Sequence, residues 1–426
     1  MNHEYLHRKI VENCDRVHAW FAEKSQGLPF PIYSSFDLRD AGYKMGPVDA
    51  NIFPAGFNNI CVVDRENSAD LARRFLEAHY SPETRRVVIL TEEHTQNPYY
   101  WDNVWTIQTI LQAAGREVRL AIPRPLSAPI QVLSASGQTL TVYSAARKDS
   151  GLDVGGFTPD LIICNNDFSM EHGEWASDLK TPMNPPHELG WYRRRKDRFF
   201  RVYNELVAEF CAVLGVDPWT LQVETELFTG FEVESEESRD RLATRAEELF
   251  ERLRAKYKER DIRRDPFLFV KNNAGTYGLG VVQVSRPEEI RSWSYKARKK
   301  MKAAKGGREI TEVIIQEGIP TSMLAEGGKT AEPVIYMIGC QLAGGFLRAH
   351  EKKSDAESLN SPGAVFQRLC IADLEVKLEG CPMENAFGWV AKLAFLSIAR
   401  EARELAVEFR GYRIPSAPQL STAASR

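Results

Sequence analysis

Cysteine is scarce in this sequence and poorly placed for pairing. The chain holds seven cysteines among 426 residues, an odd number, and none stands in a C-x-x-C pair. That argues against a disulfide framework and fits a reducing compartment. No cysteine has the neighbourhood of a nucleophile, and Cys61 and Cys164 are expected to be small buried apolar residues. The eight histidines show no H-E-x-x-H spacing, so a zinc centre is not expected. Long apolar runs are missing too. The best one, AFGWVAKLAFLSIA at 386–399, contains Lys392 and falls short of the roughly 20 residues needed to span a bilayer. The first 25 residues are charged throughout and lack the apolar core of a signal peptide. Charge of one sign is also lacking. The net charge of −3 provides no global field to recruit nucleic acid or an anionic membrane. The expectation is a soluble, cytoplasmic protein with small-molecule partners, and no nucleic acid or membrane among them.

What is present is ordinary globular material. A hydrophobic content of 43% and a charged content of 27% allow an ample core, and the length suggests roughly two or three domains. Ile10, Cys14, Val17 and Phe21 recur at helical spacing, so the N-terminus reads as an amphipathic helix. Residues 31–65 read as a turn-rich block. Beyond it helices alternate with short apolar strands, as in ENSADLARRFLEAHY, RRVVIL, REVRLAI and DLIICNND. Such alternation predicts a parallel, doubly wound sheet, with site loops after Leu90 and Cys164 at the carboxyl ends of strands. Residues 200–260 read as largely helical, and strands return from 267. The expected division is an N-terminal α/β substrate-binding domain over 1–230, a nucleotide-binding domain over 231–412 and a flexible tail over 413–426.

Residues 267–285, FLFVKNNAGTYGLGVVQVS, join two strands through glycines, with a lysine at the mouth of the turn. Gly275, Gly278 and Gly280 allow positive φ and close approach of backbone to a ligand. N–H groups of such a loop, with Thr276 and Tyr277 inside it, can cradle phosphate oxygens while Lys271 neutralises their charge. The spacing G-x-x-G-x-G is neither the dinucleotide fingerprint nor the Walker loop, and glycine-rich hairpins are often mere turns. Farther on, VIIQEGIPT ends a strand in Gln316 and Glu317. That ending can lay backbone along an adenine edge, with Glu317 free for ribose or amino-group contacts.

The order of these two features resembles the ATP-grasp ligases. GYKMGPVDANIFPAGFNNIC (42–61), FVKNNAGTYGLGVV (269–282) and SLNSPGAVFQRL (358–369) together resemble the proteobacterial class of glutamate–cysteine ligase, over nearly the whole chain. The resemblance implies an α/β fold, in which a doubly wound N-terminal domain precedes an ATP-grasp-like α+β domain. It implies ATP-dependent, ADP-forming joining of the γ-carboxyl of glutamate to the amino group of cysteine through an acyl phosphate, the first step of glutathione synthesis. ATP and Mg2+ are the implied cofactors. The chain departs from the grasp pattern in having no Glu-x-Asn triplet, so Glu332, Glu351 and Asn360 stand as the oxygen donors for magnesium. Lys271 and Arg348 are the expected clamps on phosphoryl charge; for Arg348 the alternative is a surface salt bridge.

Asp49, Asn51, Asn58 and Asn59 crowd polar groups around Phe53 and Phe57. Such a loop can hold the α-amino and α-carboxylate groups of an amino acid, or it can be an Asx-rich turn. WYRRRKDRFF (191–200) can contact substrate carboxylates or phosphate, but such a run is more often one solvated helix face. SYKARKKMKAAKGGR (294–308) lacks the aromatic interleaving of a nucleic-acid site. The alternative to a ligase is a non-catalytic ATP-binding sensor or scaffold of the same fold.

Overall fold

The structure is a computed structural model that describes residues 3–93, 96–169, 171–176, 178–275, 278–302, 309–378 and 381–415. The end of the expected tail, 416–426, and positions 303–308 of the lysine-rich segment lie outside the described residues. An antiparallel sheet occupies the centre, in the order Val365–Leu369, Gln341–His350, Lys329–Ile338, Tyr33–Asp40, Met45–Asn51. The turn-rich reading of 31–65 is thus corrected, because that block supplies two strands. Every residue of Tyr33–Asp40 is buried, including Ser34, Ser35, Asp37 and Arg39. Alternation marks a strand with one wet face, and a strand covered on both faces that carries polar groups inward gives no such signal. This sheet joins both ends of the chain, since Asp37 pairs with Val334 in register. The strand Thr225–Thr229, which falls in a segment expected to be helical, pairs with Glu312–Glu317. Strand pairing therefore crosses position 230 in two sheets.

A second sheet runs Met183–Asn184, Leu161–Cys164, Arg86–Leu90, Glu117–Ile122, Thr139–Ser144, Ile130–Leu133. All of its pairings are parallel except the last. The helices Val62–His79 and Pro98–Ala113 connect into its first strands. Pro98 suits the first helical turn, where its missing N–H is not needed, and the Asn97 side chain accepts from the Tyr99 and Tyr100 amides.

The third sheet is antiparallel, in the order Thr225–Thr229, Glu312–Glu317, Leu268–Asn272, Val281–Val284. The helix Glu236–Glu259 covers it, capped by Ser235 with glutamates in its first turn and lysines in its last. Phe231, Leu249, Phe250, Val270 and Ile315 form a small core there, separate from the large one that unites the other two sheets. The N-terminal stretch makes two helices, His3–Glu12 and Cys14–Ser25. The apolar run at 386–399 lies in the helix Ala386–Glu404, buried against the central sheet and the helix Lys196–Leu214. Among the described residues no helix is long and apolar enough to cross a membrane.

Candidate active site

The small antiparallel sheet faces the central sheet across a cleft. Phe269, Lys271 and Val281 line one wall, and Asp37, Arg39, Val48, Asp49 and Glu332 line the other. Lys271 sits in register between Val281 and Ile314. Its Nζ donates to the Val48 carbonyl at 2.9 Å and to Gln316 Oε1 at 2.6 Å. Burial pushes its pKa down to about 7, with Asp49 acting in the opposite direction. Gly278 and Gly280 have φ of +67° and +61°, where a side chain is strained. A Cβ on Gly275 would stand 2.9 Å from that of Asn272. Thr276 and Tyr277 lie outside the described residues. The base of the hairpin is anchored: the Lys196 amide donates to the Asn273 carbonyl at 2.9 Å, and Asn273 Nδ2 donates to Asp197 Oδ1 at 2.8 Å.

Gln316 is fully buried, and its amide nitrogen donates to Thr225 Oγ1 at 3.0 Å. Glu317 differs from the expectation of a free side chain. Its carboxylate is buried 2.5 Å from Lys44 Nζ, which in turn lies 4.2 Å from the Trp219 ring centre. Burial raises the Glu317 pKa while Lys44 works against the shift.

Charges alternate along the opposite wall. Arg348 is no surface residue: its guanidinium donates to Asp37 Oδ2 at 2.6 Å and to Glu332 Oε1 at 2.9 Å. Burial alone would lower its pKa, and Asp37 and Glu332 more than reverse that. Arg39 Nε donates to Glu332 Oε2 at 2.6 Å, and its other nitrogens reach the Asp355 and Glu357 carbonyls. Burial also works against ionisation of Asp49, but Lys196 at 2.5 Å and then Lys271 hold its pKa below the usual carboxylate range. The solvated-face reading of 191–200 is corrected at two positions. Lys196 is buried in the cleft wall, and Arg194 is buried against Glu401 at 2.9 Å and the Ala50 carbonyl at 2.9 Å.

The proposed magnesium donors divide. Glu332 and Asn360 line the cleft, whereas Glu351 is exposed and does not. Of the substrate-loop residues, Asp49 lines the cleft. Asn51 ends its strand opposite Ser35, and Asn58 Nδ2 lies 3.4 Å from Asn59 Oδ1 in the turn Phe57–Asn59. That loop is held from behind. Asn103 Oδ1 accepts from the Phe57 amide, and Asn165 Nδ2 donates to the Pro54 carbonyl. The loops after Leu90 and Cys164 interlock under it, with Asn166 Nδ2 donating to the Thr91 carbonyl. Thr91, Asn165 and Asn166 in these loops are buried. Sequence reasoning missed Asp37, Arg39 and Ser358 as cleft residues, and did not single out Lys196 within the run 191–200. The i, i+2 spacing of Asp37 and Arg39 was the signal available.

A family model described as GshA, glutamate-cysteine ligase, matches residues 7–402. The chain belongs to the glutamate–cysteine ligase family. Consistent with this, the crystal structure of a candidate gamma-glutamylcysteine synthetase from Methylobacillus flagellatus KT is similar at 32% identity and a TM-score of 0.83. The match covers 94% of this chain and 96% of that one. D-alanyl-alanine synthetase A from Vibrio cholerae is 10% identical with a TM-score of 0.35, over 76% and 81% of the two chains. A glutathione synthetase-like effector from Globodera pallida is 9% identical with a TM-score of 0.37, over 85% and 78%. No curated protein matches significantly. The chain is an ATP-dependent ligase that forms γ-glutamylcysteine, and the non-catalytic sensor reading is not favoured.

Proposed function

We propose that ATP lies in the cleft under the hairpin 271–280, with its phosphates toward Lys271 and its adenine along the backbone of Gln316–Gly318. The observation that carries this reading is the burial of Lys271 at the mouth of a glycine hairpin, across a cleft from Arg39 and Lys196. Three cations facing one small volume suit a polyphosphate and a carboxylate together. The ligase then activates the γ-carboxyl of glutamate: a carboxylate oxygen attacks the terminal phosphorus and ADP leaves, then the amine of cysteine attacks the acyl carbon, the C–O bond to phosphate breaks, and inorganic phosphate and a proton are released. The chain's residues position the reactants and offset charge, which is most of what phosphoryl transfer asks of a protein. Arg348 acts as the cation behind Asp37 and Glu332, fixing both carboxylates. Asp49, Asn51, Asn58 and Asn59 present the amino-acid donor to the cleft.

Hard oxygen donors in the cleft wall fit magnesium, which keeps waters and phosphate oxygens in its shell and needs few protein ligands. Glu332 and Asn360 would hold it, with Asp37 beside them in place of the outlying Glu351. When bound, the ion would offset charge on the β- and γ-phosphates. The parallel sheet behind the loop is read as the doubly wound part of the fold. The units proposed are 1–230 for substrate and 231–412 for nucleotide, with both ends of the chain sharing the central sheet, and the location proposed is the cytoplasm.

The test is ADP release. Glutamate plus cysteine should give sustained release, far above that with either amino acid alone. No ADP with any amino-acid pair would overturn the reading.

A further inference from the structure

Outside the cleft, one cluster of reactive groups has no part in the ligation. Cys61 Sγ, Cys370 Sγ and a carboxylate oxygen of Asp64 lie within 4.8 Å of one another. Cys61 immediately precedes the helix Val62–His79, and Cys370 directly follows the edge strand Val365–Leu369. Both are free thiols. Cys61 is buried, while Cys370 is half-buried and carries an exposed partner: Arg368 Nε donates to its sulfur at 2.7 Å. We propose that Cys61 and Cys370 form a reversible disulfide by exchange with low-molecular-weight disulfides.

The two thiols differ in the way such an exchange needs. Cys370 is the less buried of the two and has the guanidinium of Arg368 on its sulfur at 2.7 Å, a cationic neighbour of the kind found beside thiols that attack a disulfide. Burial pushes the Cys61 thiol up, so it waits protonated. The Cys370 thiolate attacks one sulfur of RSSR, the S–S bond breaks and RS⁻ leaves. Asp64, whose own carboxyl is raised by burial, then takes the Cys61 proton. The Cys61 thiolate attacks the mixed disulfide at Cys370 and releases the second RS⁻. Two protein thiols are oxidised and one small disulfide is reduced to two thiols.

A divalent metal fits these groups less well. They number three, the guanidinium of Arg368 sits on one sulfur, and Asp64 Oδ2 already accepts from the Ile371 amide at 3.0 Å. The bond would tie the start of the helix after the substrate loop to the strand that follows Ser358 and Asn360.

The experiment incubates the folded full-length protein with cystine and maps its peptides by mass spectrometry without reduction. The expected result is a peptide joining Cys61 to Cys370, two hydrogens lighter than the sum of its parts and reversed by dithiothreitol. Arg368→Ala should slow its formation several-fold while leaving the folded protein's melting curve in place. In Cys61→Ser, reaction should stop at a mixed disulfide on Cys370. The proposal is overturned if the wild type yields mixed disulfides without the joined peptide, if the joined peptide forms only in denaturant, or if Zn2+ binds stoichiometrically and blocks the exchange. None of these readouts depends on ligase activity.

Discussion

Lys271 is held in a place that disfavours its charge. Its folded pKa of about 7 lies below the ordinary lysine value of 10.5, so the unfolded chain binds more protons between those two values. Stability contributed by this residue therefore rises with pH across that window, and the full cost of its charge is present below about pH 7. Comparing Lys271→Met with the wild type in the absence of ATP checks this. The variant's relative thermal stability should be greatest near pH 6.5 and fall steadily toward pH 10. A flat difference would mean that the lysine is not desolvated. Phosphate oxygens should restore the charge, so ATP binding at pH 8 should take up protons, visible as a buffer-dependent heat in calorimetry. Lys271→Ala should cost on the order of 1.5–3 kcal/mol in kcat/KM for ATP, the range for a charge-assisted hydrogen bond. In the proposed substrate loop, Asn51→Ala or Asn58→Ala should raise KM for glutamate well beyond any change for ATP, because unpaired polar partners discriminate strongly. Equal shifts in both would assign the loop to the nucleotide.

Among the elements, the hairpin was legible because its signals are local. A lysine, three glycines and two apolar runs fall within 19 residues, and each sets backbone geometry nearby. The ladder opposite was not. Glu332 and Arg348 face each other across adjacent strands, and Asp37 joins them from the other end of the chain. Neither the partners nor their burial follow from spacing along the sequence. Lys196 was hidden for a similar reason: a run of basic residues looks solvated until the helix is seen packed between Glu401 and Asp49. This ladder makes its own prediction. Arg348→Met leaves Asp37 and Glu332 buried without their shared cation, so it should destabilise the fold by about 3–5 kcal/mol, read from urea denaturation. Gly318→Ala should act differently. A Cβ there would overlap the Phe267 ring, displacing the backbone proposed to border the adenine, and KM for ATP should rise more than KM for either amino acid.

At the scale of the whole molecule, the cleft exists because two antiparallel sheets of different origin face each other. One is closed locally between 225 and 317, and the other is assembled from 33–51 and 329–369. The parallel sheet stands behind, and Asn165 at the end of one of its strands, with Asn103 from the helix Pro98–Ala113, braces the loop that follows Asp49. Every part of this arrangement converges on one chemical claim, that the γ-carboxyl of glutamate is activated by the terminal phosphate of ATP beneath the hairpin. The direct test uses glutamate labelled with ¹⁸O in its γ-carboxyl, turned over with ATP and cysteine. The account predicts one labelled oxygen in the released inorganic phosphate, with ADP as the only nucleotide product. Label in AMP, or pyrophosphate among the products, would contradict it.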